Sequence, residues 1–218
     1  MSFSHKELAQ IPHTLSEPRF ATYLRHCGDD KEHALRLYKW NLELSSAFII
    51  PLHLLEISTR NAIVEALEAV HTANWPWNNG FMRSLTDPAK GYSPKRDLRT
   101  VASREPTMGK VVAELKFVFW ERMFTARHDA RLWNQHIKAV FPFAPATLSV
   151  QQIRARLYND IFTIRELRNR IAHHEPIFSR NLQDDYDKML EIVSWRDDTT
   201  ANWMNGLQSV MLLIPEKP

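Results

Sequence analysis

Four polar residues in the segment 161–178 have types and spacing suited to phosphodiester chemistry: Arg165, Arg168, Asn169 and His173. On a helix that turns by about 100° per residue, they fall within an arc of about 140°. His173 can transfer a proton near neutral pH, and Arg168 can hold phosphate oxygens through two parallel hydrogen bonds. Asn169 lies one turn before His173 and can orient its ring or donate to a ligand. The pattern therefore indicates a proton-transfer group beside a phosphate.

An apolar stripe next to this polar face predicts how the helix is oriented. Four residues form the stripe: Leu157, Ile164, Leu167 and Ile171. They fall between about 260° and 340° on the same wheel, and such a stripe normally faces the core. His174 falls near about 240°, away from the polar face. We therefore expect His173, and not His174, to share a face with Arg168.

The spacing alone leaves a plainer interpretation open. Residues 152–180 contain six arginines and three acidic residues, so the segment can also be an arginine-rich, solvated helix that ends in histidines. An arginine and a histidine within one turn are common on such helices. A metal site is disfavoured, because adjacent histidines point to different helix faces and the His-Glu-x-x-His spacing is absent from the sequence.

The elements that position these residues are predicted to be helices in a single domain. The chain has 218 residues, a usual length for one domain. Only five glycines occur, which leaves few tight hairpins, and apolar periodicity is helical along most of the chain. The fold class predicted is therefore all-α. The lone cysteine, Cys27, excludes an internal disulfide and a cysteine-rich zinc site.

Helices are predicted over nine regions, with Pro51 ending or kinking the long apolar segment and residues 71–91 forming a loop. Asp29 or Asp30 is expected to cap the second helix. Pro176 is expected to end the helix predicted over 149–174. The predicted regions are 17–26, 30–50, 51–67, 95–103, 109–123, 130–141, 149–174, 182–194 and 199–210.

Charge and hydropathy place few limits on partners. Lys and Arg number 28 against 25 Asp and Glu, a net charge of +3, which permits an anionic partner without requiring one. The first ten residues carry charged side chains and no apolar run, unlike a secretory signal. The longest apolar stretch, 47–55, is too short to span a bilayer. We expect a soluble cytoplasmic protein without a membrane partner.

The motif segment also resembles a known family. The run R-N-R-I-A-H-H-E-P-I-F at residues 168–178 is similar to the signature of the Abi-like (abortive infection) family, part of the HEPN superfamily of helical, often ribonucleolytic domains. The superfamily motif is an Arg, usually followed by a polar residue, with a His four to six positions after the Arg. Arg168, Asn169 and His173 fill it.

Two upstream blocks extend this resemblance. Residues 38–45 and 55–63 resemble the N-terminal helices of the family, and residues 109–120 resemble its middle block. The resemblance is strongest over residues 15–186, and the last thirty or so residues add nothing to it. It implies a HEPN-like helical bundle with additional helices, with residues 1–218 as one domain.

The resemblance implies a metal-independent endoribonuclease that acts as a homodimer and needs no cofactor. The 2′-hydroxyl of the RNA would attack the adjacent phosphorus, His173 would act as general base or acid, and Arg168 would stabilise the developing charge. Family members are toxins or phage-defence effectors. Supporting or substrate-binding roles are assigned to five further residues: Arg165, Arg170, His174, Glu56 and Arg60.

The sequence is compatible with two alternatives. Glu56 and Arg60 are four residues apart in an apolar segment, so they can form a structural ion pair as well as lie near the cleft. Some HEPN domains only bind nucleic acids or nucleotides. The alternative function is therefore a non-catalytic RNA-binding or nucleotide-binding module, regulated by a small RNA or an antitoxin protein.

Overall fold

The computed structural model describes residues 3–218, about 75% of the chain being helical, with no strand in that range. The all-α prediction is confirmed. The helices are α1 (His5–Thr14), α2 (Glu17–His26), α3 (Lys31–Ala47), α4 (Ile49–His71), α5 (Asn79–Ser84), α6 (Pro94–Ala102), α7 (Met108–Glu114), α8 (Phe117–Met123), α9 (Asn134–Val140), α10 (Val150–Ala172), α11 (Leu182–Arg196), α12 (Asp198–Leu207) and α13 (Val210–Leu213). Short 3₁₀ turns cover Trp75–Trp77, Ala126–His128 and Ile214–Glu216, and a π-helical turn covers Asp129–Trp133.

Polar side chains cap the N-termini of many of these helices. The Asp30 carboxylate accepts the backbone N–H groups of Glu32 and His33 at the start of α3, as the sequence predicts. Ser149 forms a capping box with Gln152 at the start of α10. Each cap satisfies N–H groups that have no partner within the helix, so the capping residues determine where these helices begin.

The junction between α3 and α4 lies slightly before Pro51, the residue at which the sequence predicts it. α3 ends at Ala47 and α4 begins at Ile49, with Phe48 between them. Pro51 falls in the first turn of α4, where a backbone N–H has no helical partner and its absence costs nothing. Within residues 3–218, the combined stretch 31–71 is long and apolar enough to cross a membrane by length and composition. Paired core helices of a soluble protein pass the same test, and the fold is compatible with a soluble protein.

Several predicted boundaries are wrong. The region 109–123 is divided into α7 and α8, and the predicted loop 71–91 contains a 3₁₀ turn and α5. The helix predicted over 130–141 begins with the π-helical turn, and α1 lies outside every predicted helix. These differences concern short elements, whose ends depend on packing against neighbours rather than on local periodicity.

One hydrophobic core joins the helices into a single compact chain. α4 packs along α11 and also contacts α8 and α9, while α10 packs against α8, α9 and α11. The aromatic residues Phe119, Trp120 and Trp133 are fully buried in this core. They therefore stabilise the fold and are not available to stack on bases.

The turn that follows α10 is fixed to α3 and to the C-terminal segment. The buried Asn41 side chain accepts the backbone N–H of Ile177 at 2.8 Å. Lys217 Nζ donates to the carbonyl oxygen of Phe178 at 3.0 Å, and Trp40 donates its indole N–H to Leu213 O at 2.7 Å. The last residues, which carry no family resemblance, thus support the turn beside the motif.

The buried His128 gives a testable dependence of stability on pH. Burial lowers its pKa to about 4, and the charge of Arg127 adds to this effect. In the unfolded chain the imidazole binds its proton near pH ~6.5. Between these two values only the unfolded state is protonated, so the free energy of unfolding falls as the pH falls. The His128 contribution to this loss is about 2 kcal/mol between about pH 7 and about pH 5.

Urea unfolding at both pH values in phosphate-free buffer checks this prediction. The His128→Gln variant lacks the titrating group, so its stability should fall by about 2 kcal/mol less than that of the wild type. His5→Gln, in the exposed part of α1, is the matched control and should follow the wild type. Identical pH dependence of wild type and His128→Gln would contradict the buried, neutral state of His128.

Candidate functional site

The buried face of α10 sets the orientation of the motif. Leu157, Ile164 and Leu167 are fully buried, and Ile171 is partly buried against the same core. The predicted apolar stripe is therefore confirmed. Because this stripe faces α8, α9 and α11, the polar residues at the C-terminal end of α10 lie toward the surface.

Three motif side chains are available to a ligand. Arg168 and His173 are exposed, and Asn169 is half-buried. Within residues 3–218, none of these three side chains forms a hydrogen bond or an ion pair with the protein. Only the backbone is engaged, since His173 N donates to Asn169 O at 2.9 Å and closes the last helical turn.

Arg60 of α4 lies close to Arg168. Arg60 pairs with Glu56, and both side chains are less than one-fifth exposed. Burial lowers the pKa of Arg60, Glu56 raises it, and the nearby positive charge of Arg168 lowers it again. The predicted Glu56–Arg60 pair is confirmed. Its position beside Arg168 places two guanidinium groups near each other, where an anion would relieve their repulsion.

Arg165 is not at the open face that the helical wheel predicts. Its Nε donates to the carboxylate of Glu121, which α8 places in the core with no exposed surface. Its Nη1 also lies 3.0 Å from Glu166, and its guanidinium lies 5.2 Å from the Phe162 ring centre. A helical wheel gives only the direction of a side chain around its own helix. It therefore could not predict that the Glu121 carboxylate of α8 binds Arg165. Arg165 therefore joins α10 to α8 rather than facing solvent.

Glu121 is a residue that sequence reasoning missed. It follows the apolar run F-V-F-W at residues 117–120, and a lone acid in such a run is a signal for a buried ion pair. Its Oε1 has no hydrogen bond within the described chain and lies 3.7 Å from Arg122 Nε. Removal of Glu121 would leave Arg165 partly buried without a carboxylate.

His174 lies in the turn that ends α10, and Arg170 stabilises that turn. His174 has φ 57, in the left-handed region, so it lies beyond the helix and its predicted wheel position does not apply. Glu175 N donates to Arg170 O at 2.8 Å and His174 N donates to Ile171 O at 3.1 Å, the pattern of a Schellman cap. The Arg170 side chain also contacts Glu175 at 3.7 Å and donates to Pro176 O at 3.1 Å.

His173 borders a groove that Arg168 and Asn169 do not line. The groove has a volume of about 450 Å³ and lies between the end of α10 and helices α2 and α3. Its lining includes Arg19, Tyr23, Tyr38, His173, His174 and Pro176. Arg168 lies instead beside Arg60 of α4. In one copy of the chain, Arg168 is near Arg60 of α4, while His173 borders the groove beside α2 and α3.

The described residues, 3–218, contain no cluster of three His, Cys, Asp or Glu side chains placed to hold a metal ion. Comparison with family models, with curated proteins and with solved structures gives no match to this chain. The motif segment and its surroundings are therefore the basis for inferring a function.

Proposed function

We propose that this protein is an Abi-like, HEPN-type endoribonuclease that cleaves RNA without a metal ion. The observation that carries the proposal is the state of Arg168, Asn169 and His173. All three lie at the accessible end of α10, and none of their side chains has a partner among residues 3–218. A cation, an amide and an imidazole that are free to contact solvent at one helix end are suited to binding and transforming an anionic ligand.

The chemistry follows from the side chains. His173 takes the proton from the RNA 2′-hydroxyl, and the resulting oxygen attacks the adjacent phosphorus. The bond to the 5′-oxygen breaks and that oxygen takes up a proton from water, leaving a cyclic phosphate and a 5′-hydroxyl, while His173 returns its proton to the solvent. Arg168 stabilises the charge on the phosphoryl oxygens, with Arg60 as a second cation nearby. Glu56 supports Arg60, Arg165 joins α10 to α8, and Arg170 supports the turn in which His174 lies.

The proposed active unit is a homodimer. One copy supplies one Arg168 and one His173, so a two-fold arrangement with α10 near the axis would combine two copies of each in one cleft. Two exposed apolar side chains near the motif, Phe162 and Ile57, are suited to such an interface. Phe162 contacts Arg165, and Ile57 follows Glu56 in the sequence. A toxin or phage-defence role, with an antitoxin protein or small RNA as regulator, belongs to the same proposal.

Incubation of the pure protein with RNA in EDTA tests the proposal. We expect cleavage that leaves cyclic phosphate ends, and no cleavage of DNA of the same sequence, because DNA lacks the attacking 2′-hydroxyl. Cleavage that requires a divalent ion, or that cuts DNA equally, would contradict the mechanism. Tight binding of intact RNA without cleavage would instead support the non-catalytic binding module.

A further inference from the structure

A second basic site lies away from the motif, at the C-terminal end of α4. Four separate elements form its walls: His71 comes from α4, Arg83 from α5, Arg127 and His128 from the 3₁₀ turn, and Arg131 from the π-helical turn. The pocket has a volume of about 500 Å³, enough to hold a nucleotide-sized ligand.

The charge of this pocket is uncompensated. Arg83, Arg127 and Arg131 are exposed at its rim, and no Asp or Glu lines it. Across residues 3–218, none of these three guanidinium groups forms a hydrogen bond or an ion pair. Arg96 and Arg154, on neighbouring elements, pair with Asp87 and Asp129. Three unpaired guanidinium groups around one cavity are suited to multidentate binding of phosphate oxygens.

The backbone that carries these groups is held firmly. Asp129, next to His128, accepts two hydrogen bonds from Arg154 at 3.0 and 3.3 Å. Trp133, at the end of the π-helical turn, donates its indole N–H to Met123 O at 2.7 Å. π-Helical turns are rare and occur often at functional sites. The pocket is thus formed before a ligand arrives, which lowers the entropic cost of binding.

His128 adds a polar group to the pocket wall. Its side chain is 6% exposed, and its ring has no hydrogen-bond partner in the described part of the chain. A neutral imidazole carries one N–H that can donate to a phosphate oxygen in the pocket.

We propose that this arginine-lined pocket binds a phosphate group, either of a free nucleotide or of a nucleic acid strand. Its position is compatible with both sources. His71 is eleven residues after Arg60 on α4, which puts it on nearly the same side of the helix and about 16 Å further along. Val64 and Leu67 lie between them on that side of α4 and are buried, so a strand bound at the motif would reach the pocket by crossing the elements that cover them. This source alone rests on the proposed ribonuclease function.

Calorimetric titration with pyrophosphate, ADP and a single-stranded DNA 12-mer tests the proposal without depending on cleavage. The double variant Arg127→Ala/Arg131→Ala should lose at least about tenfold in pyrophosphate affinity, since two charge-assisted contacts are removed. Arg99→Ala/Arg104→Ala removes two exposed charges from the region of α6 and should bind like the wild type. His173→Ala should also bind normally, which separates this proposal from the ribonuclease proposal.

Binding of ADP and of the 12-mer shows whether the phosphate belongs to a free nucleotide or to a nucleic acid strand. A free nucleotide is supported if ADP binds in the pocket and the strand shows no difference between the two double variants. A strand is supported if the salt dependence of 12-mer binding falls by about 0.7 per lost phosphate contact only in the pocket variant. If that variant melts early, Arg83→Ala on α5 provides the same comparison. No pyrophosphate binding by the wild type, or equal loss in the control variant, would overturn the proposal.

Discussion

Replacement of His173 by alanine is expected to lower the single-turnover rate of RNA cleavage by about 10²–10⁴-fold, the usual effect of losing a general acid–base group. The melting temperature should be nearly unchanged. The His173 side chain is exposed and forms no hydrogen bond or ion pair within residues 3–218. The His173→Ala variant should therefore lose the proton-transfer group while keeping nearly all of the packing of the fold. Rates and melting temperatures measured on the same preparations check both parts.

His174 provides the matched control. Its φ of 57 lies in the left-handed region, which glycine adopts at little cost. His174→Gly should therefore retain cleavage and raise the free energy of unfolding by about 0.5–1 kcal/mol. A folded His173→Ala variant with full activity would remove His173 from the mechanism. An inactive, folded His174→Gly variant beside an active His173→Ala variant would reverse the assignment.

Glu121→Ala is expected to destabilise the protein by about 3–5 kcal/mol, because breaking a buried ion pair leaves the other charge without compensation. Glu121 is fully buried, and its partner Arg165 has a side chain only 16% exposed. The pair links α8 to α10, the helix that carries the motif. Urea unfolding at neutral pH measures the loss.

The Glu166→Ala variant is the control that distinguishes the loss of a buried carboxylate from the loss of an exposed one. It also contacts Arg165, but its side chain is 46% exposed, so Glu166→Ala should cost no more than about 1 kcal/mol. Glu121→Leu combined with Arg165→Met should recover much of the loss, since it leaves no unpaired buried charge. Equal losses for Glu121→Ala and Glu166→Ala would show that Glu121 does not form the buried pair described above.

Local signals allowed much of the fold to be predicted. α2 spans the predicted residues 17–26, and Asp30 caps α3 as expected. The stripe of α10 and the Glu56–Arg60 pair follow from periodicity and from an i,i+4 spacing. Each of these features depends on residues close together in the sequence.

The features that could not be predicted depend on residues far apart in the chain. The contact between Glu121 and Arg165 joins positions 44 residues apart, and the arginine-lined pocket combines positions from His71 to Arg131. The helical wheel also assumes a regular helix, whereas α10 ends at Ala172 and the chain turns at His174. Tertiary packing therefore determines which motif arginine is exposed and which is paired.

The hydrogen bond from Ile177 to the buried Asn41 side chain also limits how the site can move. A turn after a helix is usually among the first regions to open, yet this one is joined to α3, α10 and the C-terminal segment. Its backbone should fluctuate with the core and not as an independent loop. Adjustment to a ligand at the end of α10 then falls to the rotamers of Arg168 and His173, which reorient in picoseconds to nanoseconds.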